Sequence, residues 1–320
     1  MTSTRLLLLD TASLYFRAFF GVPESITAPD GTPVNAVRGL LDFIARLVTV
    51  RSPGRLVACL DADWRPAFRV AAVPSYKAHR LANAARNIEQ VPAALEAQVP
   101  IILEVLDALG MAHVGVSGFE ADDVIGTMAA RDRGPVDVVT GDRDLFQVVD
   151  DAREVRVLYT ARGVGRHEVV DEAAVTAKYG IPGRSYAAFA TLRGDPSDGL
   201  PGVPGIGDKT AATLVTRFGD IEGLLAAVDD PTADLSPTMR RKLADAREYL
   251  AVAPAVVAVR TDVQLPAFDD ALPRAARDPE ALVDLAERWN LDSSLNRVLL
   301  AIDDAGGRET PEPTGPSKPR

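Results

Sequence analysis

Acidic residues follow three short apolar runs of the chain, close to the point where each run ends: Asp10, Asp61, Asp142 and Asp144. The motifs GFEADD and LRGDPSDGLPGV add five more: Glu120, Asp122, Asp123, Asp195 and Asp198. Taken singly, such residues are typical helix caps and turn residues. For the whole set that explanation is strained, and carboxylate oxygens are the ligands that Mg²⁺ or Mn²⁺ prefers in proteins.

These nine carboxylates would repel one another strongly if they shared one cleft. Two of them about 4 Å apart repel by roughly 1 kcal/mol in water and roughly 4 kcal/mol at an effective dielectric of 20. They must therefore be protonated, separated in space or neutralised by bound cations. No Cys or His cluster competes for a metal, since the single Cys59 lies in an apolar run and His79, His113 and His167 are scattered. An all-oxygen set favours hard divalent cations over zinc.

The elements that would position these acids are the strands of a mainly parallel sheet. The apolar runs at 6–9, 56–60, 136–139 and 155–158 lack the polar alternation of an exposed sheet, as strands buried on both faces do. Amphipathic segments between them predict helices on both faces of an α/β fold. We expect this core to span residues 1–170, with its ligands in the crevice beyond the carboxyl ends of the strands.

From about residue 171 the pattern changes to helical stretches with Pro and Gly between them. Such punctuation is typical of helices joined by turns. We expect a mostly helical part over 171–305. Residues 306–320 are poor in apolar side chains and are predicted to be a disordered tail.

Composition narrows the class of protein. No apolar stretch approaches the roughly 20 residues of a bilayer span, and the start lacks the hydrophobic region of a secretory signal. A cytoplasmic protein without membrane contact is expected, in keeping with a single cysteine. The net charge of −10 argues against nucleic acid at first sight. Residues 65–86, however, contain five basic residues and no acidic one, which predicts a local basic patch or else a solvated charged face.

Six ordered motifs resemble those of the 5′-nucleases, the family that includes the 5′-to-3′ exonuclease domain of bacterial DNA polymerase I, phage 5′-nucleases and flap endonucleases. The motifs are LLLLDTASLYFRAF, LDADWRPAFR with SYKAHR, GFEADD, VVTGDRDLFQVV, LRGDPSDGLPGV and GIGDKTA. The resemblance covers roughly residues 5–300, and with no polymerase following, a stand-alone member is expected.

The resemblance implies hydrolysis of DNA phosphodiesters to give a 5′-phosphate and a 3′-hydroxyl. The implied substrates are 5′ ends, flaps and nicked or branched duplex, with RNA primers on DNA as a further substrate. A monomer acting in DNA replication and repair is expected.

The same resemblance implies two divalent ions, Mg²⁺ or Mn²⁺, held by all nine carboxylates. One ion is expected near Asp10, Asp61, Glu120, Asp122, Asp123 and Asp142. The second is expected near Asp142, Asp144, Asp195 and Asp198, in part through water. The residues implied to act in catalysis are Asp10, Asp61, Asp142, Lys77 and Arg80.

Family members carry a helical arch after the second strand, over the cleft. Lys77 and Arg80 in SYKAHR match its basic residues near the scissile phosphate. Arg69 is expected to face phosphate or to form a structural ion pair. Tyr76 is expected to stack on a DNA base or to pack in the interior.

The segment GVPGIGDKTA resembles the family's helix-three-turn-helix, which holds duplex DNA by its backbone. The implied contacts are Gly202, Gly205, Ile206, Gly207, Lys209 and Thr210. Glycines let a phosphate approach and a helix N-terminus favours an anion, although glycine-rich turns are also common without DNA. The resemblance also implies a monovalent cation, K⁺, at this turn. Gly199 departs from the family, where Asn is frequent, and predicts looser support of the neighbouring carboxylates.

Three other classes of protein are alternatives for this pattern of acids. A haloacid-dehalogenase-type phosphatase needs an Asp two residues after the first one, where this chain has Ala12. A PIN-type ribonuclease shares the acidic α/β core and usually lacks the arch and the GIGDKTA element. A non-catalytic protein that binds branched DNA is the alternative from outside the enzymes, and metal-dependent cleavage of a flap would distinguish it.

Overall fold

The computed structural model of the chain describes residues 4–306. In that range the strands are β1 (Leu6–Asp10), β2 (Arg55–Cys59), β3 (Leu81–Asn83), β4 (Ile88–Glu89), β5 (Ala112–Val114), β6 (Val136–Thr140), β7 (Val155–Tyr159) and β8 (Glu168–Val170). One sheet has the order β5-β2-β1-β6-β7-β8, and β3 and β4 form a separate hairpin. Only β8 runs antiparallel to its neighbour in the main sheet, which confirms the mainly parallel sheet.

Helices cover both faces of the sheet and make up most of the chain after β8. Within the described range they are α1 (Thr11–Gly21), α2 (Asn35–Arg51), α3 (Ala67–Ala72), α4 (Ala93–Glu96), α5 (Val99–Leu109), α6 (Ala121–Arg131), α7 (Glu172–Tyr179), α8 (Tyr186–Arg193), α9 (Asp208–Phe218), α10 (Ile221–Asp229), α11 (Pro237–Asp245), α12 (Arg247–Val252), α13 (Pro254–Val257), α14 (Pro279–Trp289) and α15 (Asp292–Gly306). None of them is long and apolar enough to cross a bilayer.

The leucine run of β1 shows why an uninterrupted apolar segment forms a buried strand. Leu6 and Leu8 belong to the core on one face of the sheet, with residues of α6 and α8. Leu7 and Leu9 belong to the core on the other face, with residues of α2, α5 and α15. Successive side chains of a strand point to opposite faces, so a strand covered on both must be apolar throughout.

The last two helices return to the sheet rather than extending the helical part away from it. Leu282 of α14 and Val298 of α15 lie in the same core as Leu7 and Leu9. The predicted boundary at residue 170 remains a prediction. The tail predicted for 306–320 lies outside the described residues, apart from Gly306, which ends α15.

The segment between β2 and α5 is built of shorter pieces than the predicted helical arch. It contains α3, a 3₁₀ turn at Ala78–Arg80, the β3–β4 hairpin and α4. Pro74 explains the early end of α3, because a residue before proline is driven to extended backbone, and Val73 has φ −134° and ψ 97°. The part of this segment that lines the cleft is therefore a turn and a hairpin.

One acid of β6 has a structural role. The side chain of Asp137 is fully buried and accepts hydrogen bonds from Arg5 at 2.9 Å and Arg51 at 2.7 Å. These arginines lie before β1 and at the end of α2, so the contact ties the amino-terminal edge of the sheet together. Charge-assisted hydrogen bonds of this kind contribute about 1.5–3 kcal/mol.

Replacing this acid tests that contact. Asp137→Asn should lower the free energy of unfolding by about 2 kcal/mol, because it removes the charge that both arginines contact. Asp234→Asn is the matched control: Asp234 pairs with Arg217 on the surface and should change stability by less than about 0.5 kcal/mol. Equal losses in urea denaturation would contradict the structural role of Asp137.

Candidate active site

The acids at the ends of β1 and β6 are joined through Thr140. Asp10 caps α1, where its Oδ1 accepts from the Ser13 amide at 3.2 Å. Its Oδ2 accepts from the Thr140 hydroxyl at 2.6 Å, and Thr140 Oγ1 accepts in turn from the Asp142 amide at 2.9 Å. Since β1 is the strand from which the sheet extends in both directions, this is the crevice where α/β sheets hold ligands.

The amino end of α6 brings a second set of acids to this crevice. Asp61, after β2, accepts from the Ala121 amide at 2.7 Å, at the first residue of α6. Glu120 caps the helix and Asp122 lies in its first turn. The positive end of a helix dipole favours such negative charge. Asp10, Asp61, Glu120, Asp122 and Asp142 line one cleft of about 1400 Å³.

A third set lies on the far side of Asp142. The amide of Asp144 donates to Asp142 Oδ1 at 2.9 Å. Among the described residues, the buried Oδ1 of Asp144 has no hydrogen-bond partner. Asp195 lines the cleft and accepts from the Ser197 amide at 2.8 Å, and Asp198 accepts from Arg80 at 3.1 Å.

Burial and nearby negative charge raise the pKa values of Asp10, Asp122 and Asp144. Burial raises the pKa of Asp10 from 3.8 to about 7, and the charge of Asp61 adds to the shift. Burial, followed by the charges of Asp10 and Asp142, raises the pKa of Asp122 well above its usual range. Burial, followed by Asp142 and Asp198, does the same for the pKa of Asp144. Asp142 thus acts electrostatically on both sets of acids.

The cluster has the chemistry of a site for hard divalent cations. Its donors are carboxylate oxygens, the ligands that Mg²⁺ and Mn²⁺ prefer. The unpartnered oxygen of Asp144 and the raised pKa values show negative groups whose charge the protein does not fully compensate. Within residues 4–306, no three His, Cys, Asp or Glu side chains already surround a single point at metal-ligand distance, so binding an ion here would require the carboxylates to move.

Lys77 and Arg80 lie at the rim of the cleft, where each contacts a carboxylate. The Lys77 ammonium pairs with Glu120, and its backbone amide donates to the Asp198 carbonyl at 2.8 Å. Arg80 donates to the Ser197 carbonyl at 2.8 Å as well as to the Asp198 carboxylate. Both side chains line the cleft.

Three residues predicted to meet metal or DNA are instead inside the protein. Arg69 is 2% exposed and pairs with Glu120 and Asp123, so the ion-pair alternative describes it and it does not face a phosphate. Asp123 is fully buried, and its oxygens accept from Arg69 and from the Glu120 and Arg260 amides, which leaves them saturated rather than aimed at an ion. The ring of Tyr76 is buried, with its hydroxyl 2.8 Å from Glu120 Oε2, and is not open to a DNA base.

The glycine-rich turn before α9 is divided between packing and surface. Gly202 is buried, and a Cβ there would lie 2.5 Å from the Arg193 carbonyl, so close backbone packing requires this glycine. The side chain of Ile206 lies in the core, which leaves it only backbone contacts. Gly205, Gly207 and Lys209 are exposed, and Thr210 is half-buried.

Several residues around the cleft were not predicted from the sequence. Among them are Arg17, Phe16, Phe20, Arg143 and Arg162, which also line the cleft. Arg17 lies seven residues after Asp10, two turns along α1, and that helical spacing would have placed it on the same face. Lys242 of α11 donates to the Gly205 carbonyl at 3.3 Å, a contact between distant segments that no local pattern reveals.

Comparison with protein families and curated proteins gives consistent matches along most of the chain. Residues 5–180 match the family model described as 5′-3′ exonuclease, N-terminal resolvase-like domain, and residues 181–280 match 5′-3′ exonuclease, C-terminal SAM fold. A 5′-3′ exonuclease of Streptomyces coelicolor is 64% identical, with 92% of this chain and 99% of that protein covered. A 5′-3′ exonuclease of Mycobacterium tuberculosis is 52% identical, with 94% and 99% covered.

A solved structure has the same fold at low sequence identity. The bacteriophage T5 flap endonuclease, in a complex with DNA and metal ions, superposes with a TM-score of 0.59 at 17% identity and covers 95% of this chain and 100% of its own. At that identity the similarity shows the arrangement of strands and helices, and it supports the fold assigned above.

The raised pKa of Asp10 predicts a pH-dependent stability of the metal-free protein. Between pH 3.8 and about 7 the folded state holds a proton on Asp10 that the unfolded state has released. Stability contributed by this group is therefore lost as pH rises through that window. In EDTA, wild type should lose stability relative to Asp10→Asn between pH 5.5 and pH 8, and Mg²⁺ should restore it at pH 8.

The isosteric amide is the control, because it cannot release a proton in this range. Urea denaturation of both proteins at both pH values measures the difference. A gap between wild type and Asp10→Asn that stays constant with pH would contradict the uncompensated charge at Asp10.

Proposed function

Because the chain belongs to the 5′-3′ exonuclease family and is a nuclease, we propose that it hydrolyses DNA phosphodiesters at 5′ ends and flaps with two divalent metal ions. The products would be a 5′-phosphate and a 3′-hydroxyl. The single observation that carries the two-ion proposal is the position of Asp142. Its charge raises the pKa of Asp10 and Asp122 on one side and of Asp144 and Asp198 on the other.

The carboxylates divide into two sets that share this residue. Asp10, Asp61, Glu120, Asp122 and Asp142 would hold one ion, and Asp142, Asp144, Asp195 and Asp198 the other. Bound ions of this kind lower the pKa of an attacking water and stabilise the leaving oxygen. Mg²⁺ or Mn²⁺ suits the oxygen donors. Asp123 is fully buried, held by Arg69 and backbone amides and absent from the cleft lining, so it is left out of both sets, whereas Glu120 lines the cleft and is kept.

The chain's own cations would orient the DNA strand over the acids. Lys77, Arg80 and Arg17 bring positive charge to the lining of the cleft. A phosphodiester crossing the cleft would thus meet cationic groups at its rim. Charge-assisted hydrogen bonds to phosphate strengthen as negative charge builds up on the phosphate oxygens.

Duplex DNA would lie along the turn before α9. The exposed Gly205, Gly207 and Lys209 surround the amino end of that helix, where amides and helix dipole favour a phosphate. The DNA complex of the T5 flap endonuclease supports DNA as the substrate. K⁺ at this turn remains a proposal, and it would share the Gly205 carbonyl with Lys242. A role in replication and repair, removing flaps or RNA primers, follows from this substrate class.

The shared position of Asp142 gives the direct test of this function. Wild type should cut a labelled 5′ flap in Mg²⁺, and Asp142→Asn should cut it at least about a hundredfold more slowly, because an ion contributes several kcal/mol to the transition state. Flap binding in Ca²⁺ should persist. Asp63→Asn removes a nearby charge outside the cluster and should leave the rate unchanged.

A side-by-side comparison of cleavage would define the substrate preference. The substrates are flap, nicked, RNA-primed and plain duplex. A wild-type protein that binds flaps and never cuts them in Mg²⁺ or Mn²⁺ would instead indicate a non-catalytic binding protein.

Lys77 should act on the reacting phosphate more than on docking of the duplex. Lys77→Ala should lower the single-turnover cleavage rate by about 10- to 100-fold, the effect of losing one charge-assisted hydrogen bond, with a smaller loss of duplex affinity. Lys77→Arg keeps the charge and should retain more of the rate. If rate and affinity fall by the same factor, Lys77 serves only in docking.

A further inference from the structure

Two segments that are distant in sequence meet at the edge of the cleft. The basic segment, residues 75–80, carries Lys77 and Arg80. The acidic loop, residues 195–199, carries Asp195 and Asp198. Ser75 Oγ donates to the Gly199 carbonyl at 2.7 Å, the Lys77 amide donates to the Asp198 carbonyl at 2.8 Å, and Arg80 donates to the Ser197 carbonyl at 2.8 Å.

Gly199 is what permits this close approach. Its φ of +71° lies in the left-handed region that favours glycine. A Cβ at this position would lie 2.2 Å from the Ser75 carbonyl oxygen and 3.5 Å from the Lys77 amide nitrogen. Any side chain here would therefore push the basic segment off the acidic loop.

The acidic loop is closed by its own hydrogen bonds and receives further hydrogen bonds from the basic segment. Asp195 and Leu200 exchange backbone hydrogen bonds of 3.0 and 2.8 Å, which close the loop on itself. The ends of the loop are held by Leu200, which lies in the core, and by the pairing of Arg193 with Asp195. The contacts from Ser75, Lys77 and Arg80 reach the carbonyls of Ser197, Asp198 and Gly199 in turn.

We propose that Ser75 and Gly199 are positioning residues, which hold the carboxylates of the acidic loop against the basic segment so that both are set before substrate arrives. The inference rests on the proposed two-ion function, since it gives the acidic loop its purpose. It differs from the sequence expectation that glycine at 199 loosens support of these acids: the glycine allows a backbone contact that replaces side-chain support.

If this contact positions the acids, the Mg²⁺ concentration needed for cleavage should depend on the contact between Gly199 and Ser75. Partners that orient metal ligands typically change affinity by 10- to 100-fold when removed. Gly199→Ala should raise the Mg²⁺ concentration for half-maximal flap cleavage about tenfold. Ser75→Ala, at an exposed residue, should raise it by a smaller factor, and Ser75→Thr should restore it because the hydroxyl is kept.

Gly180→Ala is the matched control. Gly180 has φ +74° at the end of α7, and a Cβ there would meet nothing within 4 Å. Both glycines have a φ in the left-handed region, and the steric contact with Ser75 is present at Gly199 and absent at Gly180. Hydrogen exchange of the Lys77 amide, which donates to Asp198, should quicken in Gly199→Ala and stay unchanged in Gly180→Ala.

The Mg²⁺ dependence separates positioning from folding. A purely structural loss would lower the maximal rate without moving the half-maximal Mg²⁺ concentration. The proposal is overturned if Gly199→Ala and Ser75→Ala leave that concentration where Gly180→Ala leaves it, even when Lys77 exchange quickens. A wild-type protein that cuts no substrate would contradict the proposed function, whereas active wild type with unshifted variants would contradict the positioning role alone.

Discussion

Electrostatic repulsion between carboxylates is the constraint on which the rest of this structure depends. The strand ends at β1, β2 and β6, together with the start of α6, place acids where burial and mutual charge raise the pKa of Asp10 to about 7. The fold neutralises buried acids elsewhere: Asp137 in the same sheet meets Arg5 and Arg51 directly. Asp137 thus differs from the acids around Asp10 in having its charge compensated by arginines. A compensated acid stabilises the fold, while an uncompensated group of acids is suited to binding cations from solution.

Three cations of the chain contact acids of this cluster, and two of them, Lys77 and Arg80, line the cleft. Arg69 and Lys77 pair with Glu120, and Arg80 pairs with Asp198. The result is a cleft that is negative at its floor and positive at its edge. Under the proposed function, metal ions would bind at the floor and a phosphodiester at the edge, so one charge distribution would serve both partners. The contact of Gly199 with Ser75 connects the acidic loop to the basic segment.

The sequence predicted the sheet and the membership of the cluster better than the roles of individual residues. Leu6 to Leu9 predicted a strand covered on both faces, and the acid after it predicted the crevice. Whether a given acid is free depends on contacts across the fold. Asp122 and Asp123 are adjacent, yet only Asp123 meets Arg69 and the amide of Arg260, 137 residues away. For Arg69 and Tyr76 the sequence left an exposed and a buried alternative open, since charge and aromaticity do not reveal burial, and the structure agrees with the buried one.

The segment between β2 and α5 was predicted to be a helical arch, and the structure shows shorter pieces there. Pro74 ends α3, and a turn and a hairpin follow it along the chain. The central claim is that the acids converge to bind paired ions. Anomalous diffraction from crystals soaked in Mn²⁺ tests it most directly. The account predicts two peaks about 4 Å apart beside Asp142. Crystals that bind Mn²⁺ only outside the cleft, or show none near Asp10 and Asp142, would contradict it.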